Sequence, residues 1–174
     1  MLKSRPLRIA LIRHGESEAN LDQTIFERLP DHAIPAHGRR ARAGGHADIE
    51  RQKRLRDSYG HFFYRFTDSE SGADVYDRVL TFLETLHRDW DSPHSPRNVL
   101  IVSHGLTMRL FCMRWFHWSV RFFESLSNPG NAETRELLRQ PDYRYKLDQP
   151  FEQWSPYTPS ERESSAWSWC PEIR

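Results

Sequence analysis

Apolar residues are spread unevenly along the chain. Leu7–Ile12 is the only strongly apolar stretch in the first sixty residues, and a short run of this kind predicts a strand buried on both faces. Residues 20–60 are polar and arginine-rich, punctuated by Pro30, Pro35, Gly38, Gly44 and Gly45. That pattern predicts irregular structure over 20–47 and a short charged helix over Ala47–Ser58. The aromatic stretch YGHFFYRF (59–66) reads as a strand or a loop packed on the core. Ser71-x-x-Asp74 has the form of a capping box with Asp in place of the usual Glu. Behind it Val75, Val79, Phe82, Leu83, Leu86 and Trp90 recur at helical spacing and predict a long helix with one apolar face.

The loop SPHSP (92–96) leads to a second apolar run, Asn98–Val102, again a buried strand. A helix is predicted from about Leu106 to Trp118. NPGN (128–131) is a turn, and Glu133–Arg139 and Tyr143–Leu147 are spaced to pair as a hairpin across QPDY. Strand, helix, strand, helix and hairpin in that order imply an α/β sheet whose first strands run parallel. Residues 1–148 form one domain on this reading, and the Pro-, Ser- and Trp-rich residues 149–174 form a poorly ordered tail.

Composition narrows the picture. The chain has 174 residues, ample for a single core, but only 37% are hydrophobic and 13% are aromatic, so Phe, Tyr and Trp must supply much of the burial. A formal charge of +1 gives no global attraction to nucleic acid. Lys3, Lys53 and Lys146 are the only lysines; arginine carries the rest of the positive charge, which suits bidentate recognition of phosphate or carboxylate. Cys112 and Cys170 make no disulfide framework, so a reducing, cytoplasmic setting is expected. No apolar run approaches the length of a membrane span, and the first apolar segment is too short for a signal-peptide core. The histidines and cysteines show no zinc-ligand spacing, so neither metal nor other cofactor is expected.

One short echo carries the chemistry. ALIRHGES and LIVSHGLT align so that both apolar strands end in His-Gly, at His14-Gly15 and His104-Gly105, with Ser17 and Thr107 two residues on as possible helix caps. Ligands of parallel α/β sheets bind beyond the carboxyl ends of the strands. If the strands are neighbours, the two histidines meet there, and Gly15 and Gly105 let the backbone approach a ligand. Helix starts behind them favour an anion. Two imidazoles with the Arg13 guanidinium suit a phosphate: a neutral ring nitrogen can take a phosphoryl group, while arginine and the other histidine stabilise its charge.

These residues resemble a known family. RHGESEAN matches the R-H-G-x-S-x-x-N signature of the histidine phosphatase superfamily, the phosphoglycerate mutase-like proteins, and VSHGLTMR is similar to its second histidine motif. YGHFFYRF, ESGADVYDRV and NPGN further resemble a fungal, plant and bacterial branch, so the likeness covers residues 7–20 and 48–147. It implies a mostly parallel sheet flanked by helices, with His14 as the phosphorylated nucleophile. Arg13 and His104 would bind the transferred phosphoryl group, and Ser17 and Asn20 would line its pocket.

The chain also departs from that family. Its members carry a strand-helix-strand segment after the first motif. That segment supplies a second phosphate-binding arginine, in an S-P-x-x-R-[AT] stretch, and a glutamate that protonates the leaving group. Here only PAHGRRARAGGHADIE stands in the interval, cut short between about residues 40 and 48. Fewer strands than the family norm are therefore expected, with Asn98–Val102 as an exposed edge. Losing the general acid costs on the order of 10² to 10⁴ in rate. Arg39, Arg40 and Arg42 are poor substitutes for the arginine, as are Asp48, Glu50 and Glu70 for the acid; Glu70 reads as a helix-start residue.

The expected function is thus a phosphomonoester hydrolase, acting on a small phosphorylated substrate through phosphohistidine 14. Phosphatase is favoured over mutase, because a mutase must enclose its substrate while the phosphoryl group returns. The alternative is a non-catalytic phosphate-binding or interaction protein that keeps the two histidines without the acid. The basic stretch RQKRLR (51–56) reads as a solvated helix face rather than an RNA site, since Asp48, Glu50 and Asp57 interrupt it. Arg78 and Arg109 read as surface or pocket-rim charges.

Overall fold

The computed structural model describes residues 5–16, 50–66, 69–92, 95–154 and 168–169. Along the chain lie β1 (Arg8–Arg13), a helix α1 over 50–59, α2 (Gly72–Trp90), β2 (Asn98–Ser103) and α3 (Gly105–Phe116). They are followed by α4 (Val120–Ser125), β3 (Thr134–Arg139), β4 (Tyr145–Leu147) and the short β5 (Ser168–Trp169). The chain divides into two compact units, Gly15–Asp74, and Met1–His14 together with Val75–Arg174.

The second of these units is built on one sheet of order β2-β1-β3-β4-β5. β1 and β2 run parallel, with Ile9 opposite Val99 and Arg13 opposite Ser103. β3 lies antiparallel on the other side of β1, placing Thr134 opposite Ile12, and the β3–β4 and β4–β5 pairs are also antiparallel. The α/β architecture is therefore as expected, but the sheet is mixed rather than mostly parallel. The hairpin that follows α4 takes the place beside β1 and reverses the direction there.

Position in the sheet explains the two apolar runs. β1 is flanked on both sides, and Ile9 and Leu11 are buried. Among the described residues β2 is an edge strand, and its burial alternates, leaving Leu100 64% and Val102 62% exposed. Burial on both faces, expected from its sequence, is thus not met, whereas the exposed edge is. Between α2, α3 and the β1–β2 pair lies an open cleft of about 340 Å³, lined by Leu11, Val79, Ile101, Thr107 and Met108 among others. Phe82, placed on the apolar face of α2 by its spacing, borders this cleft and is half exposed.

Aromatic side chains fill the core, offsetting the low hydrophobic content. Trp115 on α3 stacks on Phe111 with centroids 5.7 Å apart and meets Tyr145 edge-on at 5.1 Å. Trp118 meets Phe122 at 5.1 Å and Phe151 at 6.1 Å. Offset and edge-to-face arrangements of this kind add attraction beyond the area buried. Phe151 belongs to the segment expected as a tail. It is nonetheless buried, and the Glu152 carbonyl accepts the Ser127 N–H at 2.7 Å. Residues 155–167 and 170–174 lie outside the described residues.

In the Gly15–Asp74 unit the capping box is present. The Asp74 carboxylate accepts both the Ser71 N–H and hydroxyl at 2.6 Å, and the Asp74 N–H donates to the Ser71 hydroxyl at 3.3 Å. The 59–66 stretch forms the end of α1 and a turn, with Phe62 buried and Phe63 exposed. Gly72 is required by that packing. A Cβ there would stand 2.6 Å from the His61 carbonyl oxygen, and the Phe62 carbonyl accepts the Ala73 N–H at 2.8 Å.

Candidate active site

Parallel pairing of β1 with β2 places the residues after each strand side by side. The His14 N–H donates to the Ser103 carbonyl at 2.8 Å, carrying the ladder one step past β1. The His14 and His104 rings then lie 4.8 Å apart, centroid to centroid, at 73° to one another. His104 is the N-cap residue of α3, with extended backbone at φ −108° and ψ 153°. Its carbonyl accepts the Met108 N–H at 2.9 Å, while its side chain makes no capping hydrogen bond. Thr107 sits inside the first turn and is not the cap that its spacing suggested. Like any helix start, that of α3 carries N–H groups without intrahelical partners and a partial positive charge, which favours an anion beside the histidines.

The turn after α4 closes around the end of β1. The Arg13 guanidinium donates through Nη1 to the Pro129 carbonyl at 2.6 Å. The Arg13 N–H donates to the Glu133 carbonyl at 3.0 Å, and the Ala132 N–H to the His14 carbonyl at 3.3 Å. The Glu133 carboxylate accepts the Gly130 N–H and pairs with Arg135 at 2.5 Å. The Gly130 N–H first, then Arg135 and Arg13, hold its carboxyl below the usual range. Glu133 is therefore a fixed negative charge near Arg13 and is unsuited to donating a proton.

His14 and His104 thus come together, Arg13 precedes His14 with its guanidinium held by Pro129, and Gly15 and Gly105 follow the two histidines. The two glycines differ in what surrounds them. A Cβ at Gly15 would meet nothing within 4 Å, whereas one at Gly105 would stand 2.9 Å from the Asn128 Cβ. At Gly105, then, the close approach is made by another part of the protein. Ser17 and Asn20 lie outside the described residues, as do Arg39, Arg40, Arg42 and Asp48. Glu50 accepts a hydrogen bond from Lys53 at 2.8 Å on α1, and Arg56 pairs with Asp57 at 2.9 Å. Glu70 is exposed, one residue before the capping serine.

Sequence reasoning missed Arg109 and Asn128. Arg109 is not a surface charge; only 2% of it is exposed. Its Nε donates to Asn128 Oδ1 at 2.9 Å, and its Nη1 to the Leu126 and Phe123 carbonyls at 2.6 and 3.4 Å. The guanidinium lies over the Phe123 ring, 4.7 Å from its centroid. A signal was present: Arg109 falls within a helix whose other residues are largely apolar, where an arginine needs several acceptors to be buried.

Comparison with known proteins agrees with this geometry. The histidine phosphatase superfamily (branch 1) matches over residues 42–148. The chain is 34% identical to the phosphoglycerate mutase-like protein AT74 of Arabidopsis thaliana, covering 98% of this chain and 74% of that one. That alignment runs over 245 positions, more than the 174 residues here, so the plant protein holds residues with no counterpart in this chain. A shorter match, 42% identical over 58% of this chain and 31% of the other, is to the broad-range acid phosphatase DET1 of Saccharomyces cerevisiae. Among solved structures, Mycobacterial hydrolase 1 has a TM-score of 0.55 at 18% identity, covering 86% of this chain and all of that one. A mycobacterial glucosyl-3-phosphoglycerate phosphatase complexed with VO3 has 0.52 at 19%, covering 83% and 98%; both show likeness of fold. Motif, sheet and kinship converge: this chain belongs to the histidine phosphatase superfamily, whose members are phosphatases and mutases.

Proposed function

We propose that the protein is a phosphomonoester hydrolase that works through a phosphohistidine on His14. The observation that carries this is the pair of imidazoles 4.8 Å apart at the carboxyl ends of adjacent parallel strands, with Arg13 tethered beside them. In the first step a His14 ring nitrogen attacks phosphorus. The P–N bond forms, the P–O bond to the leaving group breaks, and the leaving oxygen takes a proton from water and departs as an alcohol. In the second, water attacks the phosphorus and gives its proton to the hydroxide left by the first step, the P–N bond breaks, and inorganic phosphate and His14 are restored. Arg13, His104 and the N–H groups at the start of α3 hold the phosphoryl oxygens as charge builds on them. Ser17 and Asn20 complete the pocket in this reading, Gly15 leaves room for a ligand, and Gly105 lets Asn128 pack behind His104.

The names of the relatives support hydrolysis of a small phosphate ester, since an acid phosphatase and a glucosyl-3-phosphoglycerate phosphatase are among them. Turnover of p-nitrophenyl phosphate by the purified chain is the test. His14→Ala is expected to lower kcat by at least about 10³, as removal of a nucleophile does. Turnover equal to that of His14→Ala would instead favour the non-catalytic phosphate-binding protein.

A further inference from the structure

We propose that Arg109 is a positioning residue, which acts through Asn128 to fix the turn whose Pro129 carbonyl holds the Arg13 guanidinium. The proposal rests on the reading of Arg13 as a phosphate ligand. Arg109 itself is buried, so it acts at one remove from any ligand. Its Nη1 takes the carbonyls of Phe123 and Leu126 at the end of α4. The Phe123 carbonyl also accepts the Leu126 N–H at 3.2 Å, and carbonyls at a helix C-terminus carry partial negative charge, so a cation is favoured there. Its Nε takes Asn128 Oδ1, and stacking on Phe123 fixes the plane of the fork. One rigid group thereby joins the end of α4 to the first residue of the NPGN turn.

Asn128 passes that constraint on in two directions. Its side chain lies against Gly105, close enough that no Cβ fits between them, and Gly105 follows His104 directly. The next residue, Pro129, supplies the carbonyl that accepts from Arg13 at 2.6 Å. Arg109 and Asn128 therefore set both where α3 begins, behind His104, and where the Arg13 guanidinium is tethered. A charge-assisted bond to a fixed carbonyl selects one position from the many open to a long side chain. A lysine at 109 has a single nitrogen and cannot serve the helix end and Asn128 in the same planar geometry.

Titration with inorganic phosphate by calorimetry, alongside thermal midpoints, separates this role from a merely structural one. Asn128 is exposed and Arg109 keeps its two carbonyl acceptors without it, so Asn128→Ala is expected to fold, which its thermal midpoint checks. Asn128→Ala and Arg109→Lys are each expected to weaken phosphate binding about tenfold, in line with losing one oriented charge-assisted contact. In an Arg13→Ala background, Asn128→Ala should weaken binding no further, because residues acting through one contact are non-additive. Parent-like phosphate affinity in Asn128→Ala, or full additivity with Arg13→Ala, would overturn the proposal. A parent chain that binds no phosphate, or binds it unchanged after Arg13→Ala, would instead sink the reading of Arg13, and this proposal with it.

Discussion

Asp74 shows how much one side chain sets at the residue scale. It caps α2 by accepting from Ser71 twice and takes a further bond from Arg65 at 2.7 Å. The Ser71 hydroxyl and N–H, followed by Arg65, lower its pKa to about 2. A depressed folded-state pKa gives stability that is present above the unfolded value of about 3.9 and is lost as pH falls through the folded one. Asp74→Asn should therefore lower the thermal midpoint at pH 6. The gap to the parent should narrow as pH falls from about 4 to about 2, because unfolding then releases the carboxylate to take up a proton that the folded state resists. A gap that persists unchanged at pH 2 would show that the carboxylate charge is not what Ser71 and Arg65 recognise.

At the scale of elements, the segments most legible in the sequence were those whose neighbours are local. The capping box, α2, the β3–β4 hairpin and the helix after His104 are encoded by residues a few positions apart, and all are present. Strand neighbours are set by distant residues, which is why β2 reads as a buried strand yet lies at an edge. The candidate site was legible for a related reason: a His-Gly repeated after each of two apolar runs brings two residues together once those strands pair. Arg109 was not legible, because its partners at 123, 126 and 128 become adjacent only after α4 folds back on α3. Tyr145 is a further tie between distant elements: buried in β4, it donates its hydroxyl to the Pro6 carbonyl at 2.6 Å, just before β1. Burial pushes its pKa up to about 12, so it remains a neutral donor. Tyr145→Phe should lower stability by about 1 to 3 kcal/mol, the usual result of leaving a buried acceptor unsatisfied. Denaturant unfolding checks this, through a lower midpoint with an unchanged slope.

For the whole molecule, the open side of the sheet and the chemistry at the strand ends have separate consequences. β2 presents Leu100 and Val102 to solvent on an edge that carries no charged residue, proline or bulge. Such edges pair with other chains unless guarded. Leu100→Lys should reduce light scattering at high concentration while leaving the thermal midpoint within about 2 °C of the parent, as surface charges on edge strands do. Scattering unchanged by the lysine would mean that this edge is not what limits solubility. The other end of the same strands carries the central claim, that His14 accepts a phosphoryl group. Its most direct measurement is rapid acid-free quenching of the protein with ³²P-labelled substrate, followed by peptide mapping. The expected result is label on His14 that is lost in acid, stable in base and missing from His14→Ala. Turnover with no such labile label, or label on a residue other than His14, would contradict it.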